Sequence, residues 1–291
     1  MQHPDPARFD RVIIADWSAS NAASPARPTA DAIWLGACDG TGVSTAYHRT
    51  RKSAEAALSQ TIATAVAQTQ RLLIGFDFPM GYPTGFAARL TGHATAQSVW
   101  AWLGNHIIDT ADNRNNRFDV AAVMNRQVGG TAGGPFWGRP AQWQIPDLAL
   151  RKAADYKGLG LPERRMVERI VPRAQPVWKL YTTGAAGSQG VMGQPMIHRL
   201  SLMPQTAVWP FQRADAAVVI AEVYPSLLAR AVAADPSPIK DEAQVRLLAQ
   251  ALYTLSQRGT LAPLFETPPI ATEEGWILGA GHQAALLDAL A

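Results

Sequence analysis

Four acids stand where a reaction would need them. Asp16 ends the apolar run Arg11-Val12-Ile13-Ile14-Ala15, Asp77 follows Leu72-Leu73-Ile74-Gly75-Phe76, and Glu222 closes Val218-Val219-Ile220-Ala221. Asp241 stands at the start of a later amphipathic segment. Runs this short and rich in β-branched residues read as strands buried on both faces. If the three strands are parallel neighbours, their acids meet at one sheet edge, where open α/β sheets bind ligands. Carboxylates crowded there repel: two unit charges about 4 Å apart cost roughly 4 kcal/mol at an effective dielectric of about 20. Either a proton stays on one acid or cations bind between them. An all-oxygen set suits Mg²⁺ or Mn²⁺. Two such ions about 3.5–4 Å apart can activate water and stabilise a leaving oxygen in phosphodiester hydrolysis. The expectation is a site with Asp16 and Asp77 at its centre and Glu222 and Asp241 completing the ligand set.

Each acid also has a plain structural reading. Asp16 can start a turn and Asp77, before Phe78-Pro79, can end a strand, since aspartate is common in both places. Glu222 is harder to explain that way, because a buried unpaired carboxylate is costly. Asp241 with Gln244 makes a D-x-x-Q pattern, a capping box at a helix start. Lys179 and Lys240 could face a phosphate or be solvated charge, and Ser18 and Ser20 could bind phosphate oxygens or form a polar turn. The glycine-rich stretch 128–138 lacks the Gly-Lys-Ser/Thr ending of a phosphate-binding loop and reads as a lid. Six of the nine tryptophans fall between Trp100 and Trp209. They can serve a core or stack on unpaired bases.

The elements that would carry these residues follow from periodicity. Three consecutive antiparallel strands open the chain, with Asp39-Gly40-Thr41-Gly42 as the hairpin between the second and third. Leu58, Ile62 and Val66 place an amphipathic helix over 52–70 with Ser53 as its N-cap. That helix supplies the crossover that makes the Asp77 strand parallel to the first. A helix is expected over 94–108, another start at 161–169 with Pro162 in its first turn, and another over 243–255. The whole chain is expected to form one domain, 1–291, with 84–211 as a large, mostly helical insertion.

The order strand, strand, strand, helix, strand, helical material, strand, helix is that of the RNase H-like fold. The chain also resembles a family of predicted nucleases of that fold, largely uncharacterised. The resemblance rests on the strand ending in Asp16, on Gly75-Phe76-Asp77-Phe78-Pro79-Met80-Gly81-Tyr82-Pro83, on Glu222-Val223-Tyr224-Pro225, on Lys240-Asp241-Glu242 and on Glu274-Gly275-Trp276-Ile277, blocks spread over the whole chain. It implies a mixed α/β sheet flanked by helices, a divalent-metal site with acids from the first strand, the fourth strand and a late helix, and nucleic acid as the partner. The chain departs from the pattern in that helix: many relatives carry a denser aspartate cluster there, where this one has Asp241, Glu242 and then Gln244.

Composition bounds the alternatives. A chain of 291 residues with 47% hydrophobic content can bury a full core. Its apolar runs are strand-sized, so no membrane span is expected, and nothing at the N-terminus reads as a leader. The single cysteine, Cys38, excludes an internal disulfide and a cysteine-built zinc site, which points to the cytoplasm. A net charge of +3 permits a polyanionic partner without requiring one. Two other readings compete with a metal-dependent nuclease. An actin-like or sugar-kinase-type phosphotransferase also places an early Asp beside a small polar turn, but needs a duplicated fold and two phosphate hairpins. A non-catalytic binding module could keep the acids for a structural ion.

Overall fold

A computed structural model describes residues 7–129, 133–171 and 173–291. Its centre is a six-stranded mixed sheet in the order β3-β2-β1-β4-β6-β5. β1 (Arg11–Asp16) pairs antiparallel with β2 (Ile33–Asp39), and β2 antiparallel with β3 (Gly42–His48). Helix α1 (Arg51–Ala67) then carries the chain to β4 (Leu72–Phe76), which runs parallel to β1. Its N-cap is Thr50, whose hydroxyl accepts the Ser53 amide; Ser53, the expected cap, lies inside the first turn.

Between β4 and the last strands the chain is helical: α2 (Phe86–Thr91), α3 (Ala96–His106), α4 (Arg117–Gly129), α5 (Tyr156–Leu159), α6 (Met166–Ile170) and α7 (Ala186–Ser201). The segment 84–211, expected as an insertion, also holds β5 (Thr206–Trp209), an edge strand parallel to β6 (Val218–Glu222). A strand of four residues followed by Pro210 offers too short a run to read from periodicity. Of the glycine-rich stretch read as a lid, residues 130–132 lie outside the described residues. After β6 come α8 (Ala229–Ala234), α9 (Lys240–Gln257), α10 (Ala271–Glu274) and α11 (Gln283–Asp288).

Both faces of the sheet are covered, as the unbroken apolar runs require. Even-numbered residues of β1 and odd ones of β4 and β6, such as Ile14, Leu73 and Val219, pack under α9; Ile13, Ile74 and Ile220 face the other way, toward α1 and the far half of α7. α9 lies unusually close. A Cβ on Gly36 would stand 2.5 Å from the Val245 carbonyl carbon, so only glycine lets the helix settle there. A separate core around Phe86, Phe136 and Trp178 holds the helical region together. Among the described residues no helix is long and apolar enough to cross a membrane.

Candidate active site

Register decides which acids can meet. In the parallel ladder Ala15 stands opposite Phe76, and Phe76 opposite Glu222. Asp16 and Asp77 are each one residue further on. Side chains alternate across a strand, so Asp16 and Asp77 point to the α9 face while Glu222 points to the opposite one. The structure thus joins two of the expected acids at the centre and sends the third away by a single step of register.

The carboxyl groups of Asp16 and Asp77 lie within hydrogen-bonding reach of each other. Two carboxylates cannot share such a bond unless one keeps a proton. Asp16 is held well above the usual carboxylate range, first by burial, then by the charge of Asp77 and of Asp241. Burial also raises Asp77, to about 7, although the Trp17 amide donates to its Oδ1 at 2.7 Å and pulls the other way. The Asp77 amide in turn donates to the Ala15 carbonyl at 3.2 Å, which locks the two strand ends together.

Asp241 joins from the first turn of α9, the helix that covers this face. The expected capping box is not formed: the N-cap is Ile239, and the Asp241 carboxylate instead accepts the Asp31 amide at 2.7 Å. Burial raises its pKa, against the pull of that hydrogen bond, and the Asp31 charge adds to the rise. Asp31 contributes to Asp16 as well. It was not among the expected residues. It lies two residues before β2 in a left-handed conformation, φ 56°, and no local pattern there marks it as part of a site.

Glu222 has a different fate. Arg165 grips it with two hydrogen bonds, Nη2 to Oε1 at 2.6 Å and Nη1 to Oε2 at 2.7 Å, and the Met80 amide adds a third at 3.0 Å. Glu168 takes the Nε of the same arginine at 2.8 Å. Glu222, Arg165 and Glu168 are all buried. Burial disfavours the Arg165 charge, yet the two glutamates outweigh it and hold the guanidinium more firmly protonated than usual. Glu168 is raised by burial, with Arg165 pulling it back. Glu274 sits beside this cluster, accepting the Thr84 and Met166 amides at 2.9 and 2.6 Å, and its carbonyl oxygen takes a bond from Arg165.

The rim of the site is fixed by two polar anchors. Buried Arg51 pairs with Asp109 through bonds of 2.6 and 2.7 Å and donates to the carbonyls of Ser18 and Ser20, both at 2.9 Å. Gln189, in the first turn of α7, donates to the Trp17 carbonyl at 2.7 Å. Together they hold the turn that follows Asp16. A cleft of about 130 Å³ opens between Asp77, Glu222, Gln189, Gln244 and Ser226, so one acid from each face, Asp77 and Glu222, borders the same space. A larger, mostly apolar hollow of about 570 Å³ lies elsewhere, around Trp209 and Phe265. Of the softer candidates, Lys179 donates to the Thr183 carbonyl at 2.6 Å, and Lys240 opens α9 beside Asp241.

As they stand, the described residues include no group of three or more His, Cys, Asp or Glu side chains arranged to hold one metal ion. The donor chemistry of Asp16, Asp77 and Asp241 nevertheless fits a hard dication: the three are oxygen donors and mutually repelled, with Lys240 offsetting part of the charge at Asp241. No protein-family model, curated protein or solved structure matches the chain.

Proposed function

We propose that the protein is a divalent-metal-dependent nuclease with an RNase H-like core, hydrolysing nucleic-acid phosphodiester bonds at Asp16 and Asp77. One observation carries this reading: two aspartates stand side by side at the ends of neighbouring parallel strands, where burial raises the pKa values of both, the charge of Asp77 adds to the rise at Asp16, and Asp241 adds to both. A fold does not keep uncompensated charge at a sheet edge for stability, and such clusters mark functional sites. The strand order and the placing of acids on the first strand, the fourth strand and a late helix agree with the RNase H-like pattern.

Asp16 and Asp77 would bind Mg²⁺ or Mn²⁺, with Asp241 closing the third side. When bound, the ion lowers the pKa of water and neutralises charge on a phosphoryl oxygen. Asp77, with a pKa pushed up to about 7, is able to hold or release a proton near neutrality. The Trp17 amide, donating to Oδ1, fixes the orientation of the Asp77 carboxyl. Glu222 acts here through Arg165 as part of the frame.

The test is cleavage of end-labelled RNA and DNA oligonucleotides with Mg²⁺ or Mn²⁺. Wild-type protein should cut at least one of them, and Asp16→Asn should lower the rate at least about 100-fold while keeping a folded circular-dichroism spectrum. Equal cleavage by the two proteins would remove Asp16 from the reaction and the nuclease reading with it.

A further inference from the structure

Linked to the acids through the first turn of α7 stands a cation with no carboxylate partner among the described residues. Arg117 opens α4; its Nε donates to Ser188 Oγ at 3.0 Å and its Nη1 to Asn115 Oδ1 at 2.8 Å. Its guanidinium lies 4.3 Å from the centre of the Phe118 ring. Neutral groups therefore hold it in place. No carboxylate among the described residues contributes to its charge state, which burial and then the neighbouring Arg51 push down to about 10. Half-buried arginines are ordinarily paired. Here Arg51 has taken the nearby acid, Asp109, and Arg117 has none.

The first turn of α7 links this arginine to the acid site. Ser188 holds Arg117, while the next residue, Gln189, holds the Trp17 carbonyl and borders the Asp77 cleft. Asn115 completes the link by donating to Ser20, in the turn beyond Asp16. The amides of that helix turn are not free to receive an anion: those of Ala186, Gly187 and Ser188 already donate to Gly184, Lys179 and Ala185. An anion arriving there meets Arg117.

Beside it are two partly exposed aromatics. Trp143 and Tyr181, each 40% exposed, stand edge-on to the Phe118 ring at 5.5 and 6.2 Å. A fixed cation next to accessible rings is the arrangement that receives an unpaired strand, with phosphate on the cation and bases on the rings. A duplex keeps its bases stacked inside and offers the rings nothing.

Resting on the nuclease reading, we propose that Arg117, Tyr181 and Trp143 form a substrate subsite for single-stranded nucleic acid, Arg117 binding a backbone phosphate beside the scissile one and the aromatics stacking its bases.

The experiment uses the Asp16→Asn protein in EDTA and a fluorescein-labelled twelve-nucleotide single strand, as RNA and as DNA, with binding read by anisotropy over a salt series. Adding Arg117→Gln should weaken binding about tenfold and reduce the salt slope by about one. Adding Tyr181→Ala should weaken it about tenfold with the slope kept. Arg117→Lys, which retains the charge, should restore the slope and guards against a folding defect. Unchanged affinity and slope in Arg117→Gln, or a duplex of the same sequence binding as tightly as the strand, overturns the subsite. Wild-type protein given Mn²⁺ separates the two ideas: a strand left uncut but bound through Arg117 ends the nuclease reading and keeps the subsite.

Discussion

The two faces of the sheet at its carboxyl edge solve the same problem in opposite ways. On the face away from α9, Glu222 and Glu168 surround one arginine, and every carboxylate oxygen of Glu222 is bonded. On the α9 face, Asp16, Asp77 and Asp241 gather with backbone amides donating to Asp77 and Asp241, and Lys240 offsets part of the charge at Asp241. One residue of register separates the two sets. The compensated face has the buried cation that a structural ion cluster needs; on the other, among the described residues no cation is bonded to Asp16, Asp77 or Asp241.

Breaking the compensated face should give the largest effect. Arg165→Met removes the cation that pairs two buried glutamates, and orphaning a buried charge costs about 3–5 kcal/mol. The melting temperature should fall by about 10 °C. Refolded protein at permissive temperature should still show the raised pKa values of Asp16 and Asp77, because the register that joins them does not involve Arg165. A change in melting temperature of less than about 2 °C would mean the glutamates are protonated or rehydrated and the contrast between faces is false.

The uncompensated face should respond in the opposite direction. In an unfolded chain Asp77 titrates near 3.9, whereas in the folded protein its value is about 7. Between those values the native state holds a proton that the unfolded state has released. Stability from this group is therefore complete below about pH 4 and lost as the pH rises toward 7. Asp77→Asn cannot ionise and should be more stable than wild type at about pH 8, by roughly 1–3 kcal/mol. Its melting temperature should also decline less between about pH 5 and pH 8, with Asp16 supplying the decline that remains. Calorimetry across that range checks the sign. A variant less stable than wild type at the alkaline end would show Asp77 to be a structural acid.

Much of this contrast was legible in the sequence, and its limits have a physical cause. Buried strands announce themselves by unbroken apolar runs, so β1, β4 and β6 and the acids at their ends could be placed at one sheet edge. The face each acid takes depends on register between strands, which no single run encodes. Glu222 looked equivalent to Asp77 for that reason, and Arg165, its partner from a segment 57 positions away, carried no local signal. Asp31 escaped because loops have no period to read. The capping-box pattern at Asp241 was a true local preference overridden by a tertiary bond: the Asp31 amide took the carboxylate that would have capped the helix.

Asp241 offers the finest test of how far the uncompensated set extends. Its charge raises both Asp16 and Asp77 across the space between the sheet edge and α9. Asparagine at 241 keeps an oxygen to accept the Asp31 amide, so stability at about pH 5 should change by less than about 1 kcal/mol. Removing the charge should ease ionisation of the central pair and move its titration to lower pH, by a fraction of a unit, readable from carboxyl carbon shifts in an NMR pH series. The same variant should bind Mn²⁺ more weakly, since one oxygen donor has lost its charge. An unmoved titration with unaltered Mn²⁺ binding would confine the site to Asp16 and Asp77, and make the α9 acid a tie between the helix and the loop before β2.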